Sequence, residues 1–116
     1  MTGGQVRNDE FSLSGADSQQ MLKRVFVDKA FLGAGGISRR AGVTDYHFAE
    51  AELRRIIMAN ARFNYLLADS SKQGVVAVSK YADLADIDYY LSDNLVNKPL
   101  KQALEEAQVQ VLLAAS

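Results

Sequence analysis

Ser18, Met21, Leu22 and Val25 fall at the i, i+3, i+4, i+7 spacing of a short helix with one apolar face, opened by Gly15. It leads directly into residues 27–34, Val-Asp-Lys-Ala-Phe-Leu-Gly-Ala, which predict a buried strand. Residues 35–42 hold Gly35, Gly36 and Gly42 among short polar residues and predict a loop in which the backbone turns or approaches something closely. Thr44 or Asp45 is the expected cap of the next helix, with Ala49, Leu53, Ile56 and Ile57 on its apolar face, a Glu50 to Arg54 ion pair outside, and an end near Ala61. Residues 64–68 read as a strand stopped by the polar, turn-prone residues 69–74. Residues 75–78 and 88–91 are further strand candidates, joined through residues 80–86, which have room for one irregular turn. Pro99 suits a first helical turn, Leu100, Ala103, Leu104 and Ala107 continue it, and residues 109–113 form a terminal strand.

Alternating strands and helices predict an α/β fold with a largely parallel sheet flanked by helices, in one domain over residues 1–116. Ligands of such sheets settle beyond the carboxyl ends of the strands, where the loops beginning at Gly35 and Asp69 are expected. Met1 to Gly4 read like the end of a strand with no neighbouring layer before it, so a truncated domain is expected.

The chain has 13 basic and 14 acidic side chains, which nearly cancel and leave no electrostatic footprint for nucleic acid or an anionic membrane. Cysteine is absent, which removes disulfides, thiolate metal sites and cysteine nucleophiles. The first residues lack the apolar core of a signal peptide, and every apolar run falls short of the ~18 residues of a membrane span. A cytoplasmic location is expected. His47 has no second His or Cys to share a metal, and no Gly-x-Ser-x-Gly elbow supports a serine triad. Residues 33–36 fail the Gly-x-Gly-x-x-Gly spacing of a dinucleotide loop, so no cofactor is expected. Tyr65, Tyr81, Tyr89, Tyr90 and Phe63 lack the interleaved basic residues of a single-strand groove and read as core and sheet packing.

In order, residues 2–4 (Thr-Gly-Gly), 11–15 (Phe-Ser-Leu-Ser-Gly), 28–38 (Asp-Lys-Ala-Phe-Leu-Gly-Ala-Gly-Gly-Ile-Ser), 42–44 (Gly-Val-Thr), 50–55, 67–72 (Leu-Ala-Asp-Ser-Ser-Lys) and 87–93 (Ile-Asp-Tyr-Tyr-Leu-Ser-Asp) resemble the C-terminal sensor domain of DeoR-type transcription regulators. That resemblance implies an effector-sensing domain for a phosphorylated sugar or related metabolite, in a regulator that is usually a repressor. It also implies a winged helix-turn-helix for operator DNA and a phosphate-holding first loop, both expected to lie outside these residues, and a homo-oligomer able to read a palindromic operator. The sensor fold is similar to that of ribose-5-phosphate isomerase. That enzyme's acidic pair falls where this chain has Leu32 and Gly35, and its general-base glutamate where this chain has Arg54. None of the three can take the migrating proton, so no catalytic residue is expected; a sugar-phosphate isomerase on the same fold is the alternative reading.

The isomerase's lysine is matched by Lys72, whose ammonium suits a phosphate or an anionic sugar oxygen. The resemblance thus marks Gly35, Gly36, Glu50, Asp69, Ser71 and Lys72 as candidate ligand contacts. Each has a plainer reading. Lys72 and Ser71 suit a solvated turn, and Asp69 suits a cap on that turn. The glycine pair suits a tight backbone, and Glu50 an exposed salt-bridged helix face.

Overall fold

The computed structural model describes residues 23–114. Four parallel strands form its main sheet: β1 (Val27–Leu32), β4 (Ala61–Leu67), β6 (Tyr89–Ser92) and β7 (Gln110–Leu113), side by side in that order. Helix α1 (Phe48–Ala59) connects β1 toward β4, and α2 (Lys98–Glu106) connects β6 to β7. A second, antiparallel sheet joins β2 (Gly36–Ser38), β3 (Gly42–Asp45) and β5 (Ser79–Ala82). The expected α/β architecture with a parallel sheet is present.

The last β-α-β unit follows its local chemistry. Asn97 caps α2 by accepting the Leu100 N–H at 2.9 Å, Pro99 lies in the first turn, and Leu100, Ala103 and Leu104 are buried. Emptying such a site, as in Leu104→Ala, costs ~2–5 kcal/mol. The core continues through Ala30, Leu32, Leu66 and Tyr90 of the sheet to Ile37, Val43 and Tyr81 of the hairpin layer.

Several expectations are corrected. Residues 35–42 are not one loop: Gly36–Ser38 and Gly42–Asp45 pair as an antiparallel hairpin, and Gly42 has φ +73, the left-handed turn conformation that glycine supplies. Thr44 and Asp45 therefore belong to β3, and His47 stands at the start of α1 without a side-chain cap. Helix α1 ends at Ala59, and its buried positions are Ala51 and Met58, with Ala49 exposed. Arg54 pairs with Asp45 rather than Glu50. Residues 75–78 are not a strand; Val76 and Val78 are exposed, and the strand is Ser79–Ala82, chosen by its pairing with β3. The irregular turn is a short 3₁₀ segment, Leu84–Asp86.

Strand β1 is buried on one face only. On the other, Phe31, Tyr65 and Tyr89 stack across β1, β4 and β6 with ring centroids 4.9 and 4.5 Å apart, and Phe31 is 62% exposed. The helix expected to end at Val25 lies largely outside the described residues; residues 23–26 are turn and coil.

Candidate functional site

Parallel pairing fixes where the strand-end loops meet. Leu32 is in register with Leu66, and Leu67 with Leu91, so the residues after β1, β4 and β6 emerge along one side of the sheet. Asp69 and Asp93 each follow these registered leucines by two residues and stand beside one another. Together with Leu67, Leu91, Ser92 and Leu113 they line an open groove of about 540 Å³ across the ends of β4, β6 and β7.

Asp69 begins a 3₁₀ turn, Ser70–Lys72, and caps it by accepting the Ser71 N–H at 3.0 Å; its Oδ1 also takes the Ser71 hydroxyl. The plainer reading of Asp69 as a cap is therefore realised, and its other carboxylate oxygen accepts no hydrogen bond among the described residues. Lys72 closes the turn through its own N–H to the Asp69 carbonyl at 3.1 Å. Its side chain is half-buried and has no ion-pair partner among the described residues.

Two ties fix this turn to the loop after β6. The Asp93 carboxylate accepts the Ser70 N–H at 2.7 Å and the Ser70 hydroxyl at 3.2 Å. The Ser70 backbone bond, with further help from the hydroxyls of Ser70 and Ser92, holds the Asp93 carboxyl below the usual aspartate range. Gln73 is the second tie. Its amide donates to the Asn94 carbonyl at 2.6 Å and to the Tyr90 hydroxyl at 3.0 Å, while its oxygen accepts the N–H groups of Val96 at 2.9 Å and Asn97 at 3.1 Å.

Gly35 and Gly36 lie against the same loop. Ile37 bridges to Gln73, and Gly74 donates its N–H to the Ile37 carbonyl at 2.8 Å. The bare Cα of Gly36 is covered by the Val75 carbonyl, 2.1 Å from where a Cβ would stand, and that of Gly35 by the Tyr46 ring. These glycines thus let protein, rather than open space, come close. Glu50 is exposed in the first turn of α1, and no hydrogen bond or ion pair joins it to the Asp69 turn among the described residues. The geometry brings Gly35, Gly36, Asp69, Ser71 and Lys72 into one neighbourhood and leaves Glu50 on the helix surface.

Residues that sequence reasoning passed over are Gln73, Asp93, Asp45, Tyr81 and Gly33. Asp93 carried a signal, since Leu-Ser-Asp at 91–93 repeats the Leu-Ala-Asp of 67–69. Gln73 carried none, because a loop glutamine reads as solvated. Tyr81 is buried, donates its hydroxyl to the Gly33 carbonyl at 2.5 Å, and has its phenol pushed far above the ordinary range by desolvation, with Arg54 opposing.

The family model for the DeoR C terminal sensor domain matches residues 1–94. The chain belongs to the DeoR family of transcription regulators. This DeoR-type sensor chain is 29% identical, over 98% of its length, to the HTH-type transcriptional regulator GolR of Listeria innocua, of which it covers 45%. It is 31% identical over 97% of its length to the HTH-type transcriptional repressor GlcR of Bacillus subtilis, covering 43%, and 26% identical over 97% to the glycerol-3-phosphate regulon repressor of Haemophilus influenzae, covering 44%. The chain therefore spans under half the length of these relatives, which are named as regulators and repressors rather than enzymes. Among the described residues, no helix is long and apolar enough to cross a membrane.

Proposed function

We propose that this sensor chain binds a phosphorylated sugar or related metabolite at the carboxyl ends of β1, β4 and β6, and that occupancy sets the DNA-binding state of the regulator. The observation that carries this reading is the Lys72 ammonium, free of a carboxylate partner among the described residues and borne on a turn held by Asp69, Asp93 and Gln73. A turn already held in place leaves only the Lys72 side chain itself to be ordered when an anionic group binds. Asp69 and the Ser71 hydroxyl then serve sugar hydroxyls, while Gly35 and Gly36 shape the wall behind them. Glu50 contributes only to a ligand that extends toward the start of α1. The name of the Haemophilus relative, a glycerol-3-phosphate regulon repressor, is in keeping with a phosphorylated effector.

Operator binding is proposed to reside in the part of the regulators that this chain does not span, with the protein acting as a homo-oligomer in the cytoplasm. The effector influences it only by binding one state better than the other.

Thermal unfolding with hexose 6-phosphates, glycerol 3-phosphate and their unphosphorylated counterparts tests the reading. A ligand at a hundred times its Kd adds about 2.7 kcal/mol of stability. The expected result is a rise in Tm with a phosphorylated compound that Lys72→Ala clearly reduces. No rise at millimolar concentration, or an equal rise in Lys72→Ala, contradicts it.

A further inference from the structure

Arg54 is the one basic residue of α1 drawn inward: its side chain is 27% exposed and pairs with the Asp45 carboxylate, itself only 8% exposed. Arg55, by contrast, lies 51% exposed on the solvent side, paired with Glu52 and donating to the Lys80 carbonyl at 2.6 Å. Taking a guanidinium and a carboxylate out of water is costly for stability, so a half-buried pair beside strand ends calls for an account.

The surroundings of Arg54 fix its direction. Nη1 is held by Asp45, whose other oxygen accepts the Tyr46 N–H at 2.8 Å, and the guanidinium lies 5.7 Å from the centre of the Tyr81 ring. Nη2 donates no hydrogen bond among the described residues and points toward Gly33, 4.0 Å from where a Cβ on that glycine would stand. Apart from Gly33 and its chain neighbours, no other heavy atom of the described residues comes within 4 Å of that point, whereas the same positions on Gly35 and Gly36 are filled by protein. The Tyr81 hydroxyl, on the Gly33 carbonyl, pins the backbone there. One prong of a planar fork is anchored and the other faces open space at the carboxyl end of β1.

We propose that Arg54 and the open side of Gly33 form an anion subsite, in which Arg54 donates to a phosphate or carboxylate oxygen of a small ligand and Asp45 is its positioning residue. This rests on the reading that a metabolite binds at the strand ends and adds a second contact to that site, beyond Lys72. The Arg54–Asp45 pair is neutral as a whole, so the subsite supplies an oriented donor rather than a strong field; Lys72 supplies the net positive charge. Arginine suits this role because its donors are fixed in a plane and stay protonated at any working pH.

Amide and Arg Nε NMR of the full chain, titrated separately with inorganic phosphate and with acetate, tests the proposal. The expected result is a saturable shift of the Gly33 amide and the Arg54 Nε with at least one of the two anions; which one responds assigns the oxyanion class. Arg54→Lys keeps a cation for Asp45 but loses the fork, and is expected to weaken the Gly33 response about tenfold or more. Arg54→Met is expected to abolish it, and if that variant does not fold, Arg54→Lys decides. Shifts confined to Ser71 and Lys72 overturn the subsite and leave the sensor reading standing. Silence at every residue overturns both, and a Gly33 response unchanged in Arg54→Lys overturns the role of Arg54.

Discussion

Asp93, at the end of β6, accepts the backbone N–H of Ser70 at 2.7 Å and so ties the loop after one strand to the turn after its neighbour. The bond favours the ionised carboxylate and depresses its pKa. A group with a folded pKa below its unfolded one stabilises the fold above the unfolded pKa, and that stabilisation is lost as pH falls through the folded value. Side-chain NMR titration is expected to give Asp93 a midpoint below that of an ordinary aspartate, with the Ser70 amide shifting in step. A midpoint at or above the ordinary value contradicts the tie.

The Gln73 side chain has five hydrogen-bond partners, the Tyr90 and Ser92 hydroxyls, the Asn94 carbonyl and the Val96 and Asn97 N–H groups, the two hydroxyl bonds buried and the rest part-buried. Gln73→Leu keeps roughly the same volume and leaves the Val96 and Asn97 N–H groups and the Asn94 carbonyl without their partner. At ~1–3 kcal/mol for a buried polar group left unsatisfied, a loss of about 2–4 kcal/mol is expected in urea unfolding. A change below about 0.5 kcal/mol would show that water replaces the amide freely.

The glycines of the β1 to β2 connection are expected to differ sharply. In Gly36→Ala the new methyl meets the Val75 backbone carbonyl, which cannot move without disturbing the loop, so a loss of ~3 kcal/mol or more is expected. In Gly33→Ala the methyl meets only the Arg54 Nη2, at an ordinary contact distance of 4.0 Å, and stability should stay within ~0.5 kcal/mol. Equal losses in thermal unfolding would contradict this packing.

The terminal β-α-β unit was legible in the chain because local chemistry and tertiary burial agree there: Pro99, the Asn97 cap and the apolar spacing from Leu100 to Leu104 all indicate the same helix. The strand-end aspartate at 69 was legible for a similar reason, an apolar run stopped by turn residues. The β2–β3 hairpin was not, since Gly36, Gly42 and short polar residues signal a loop and only pairing with β5 makes them strands. On α1, periodicity alone sends Arg54 outward to Glu50, whereas Asp45 draws it in. Gln73 was invisible for want of any local pattern, since its partners lie more than fifteen residues away. Lys72 was found through family resemblance, and the geometry adds its lack of a carboxylate partner.

Recognition of an anionic group by Lys72 is tested by calorimetric titration of the chain with the most stabilising sugar phosphate and with the same sugar unphosphorylated. Loss of a charge-assisted contact costs about 1.5–3 kcal/mol, roughly ten- to more than a hundredfold in Kd. The expected result is saturable binding of the phosphorylated form, weakened by that margin in Lys72→Ala and undetectable for the unphosphorylated sugar. Equal affinity for the two forms, or binding indifferent to Lys72→Ala, would contradict the account.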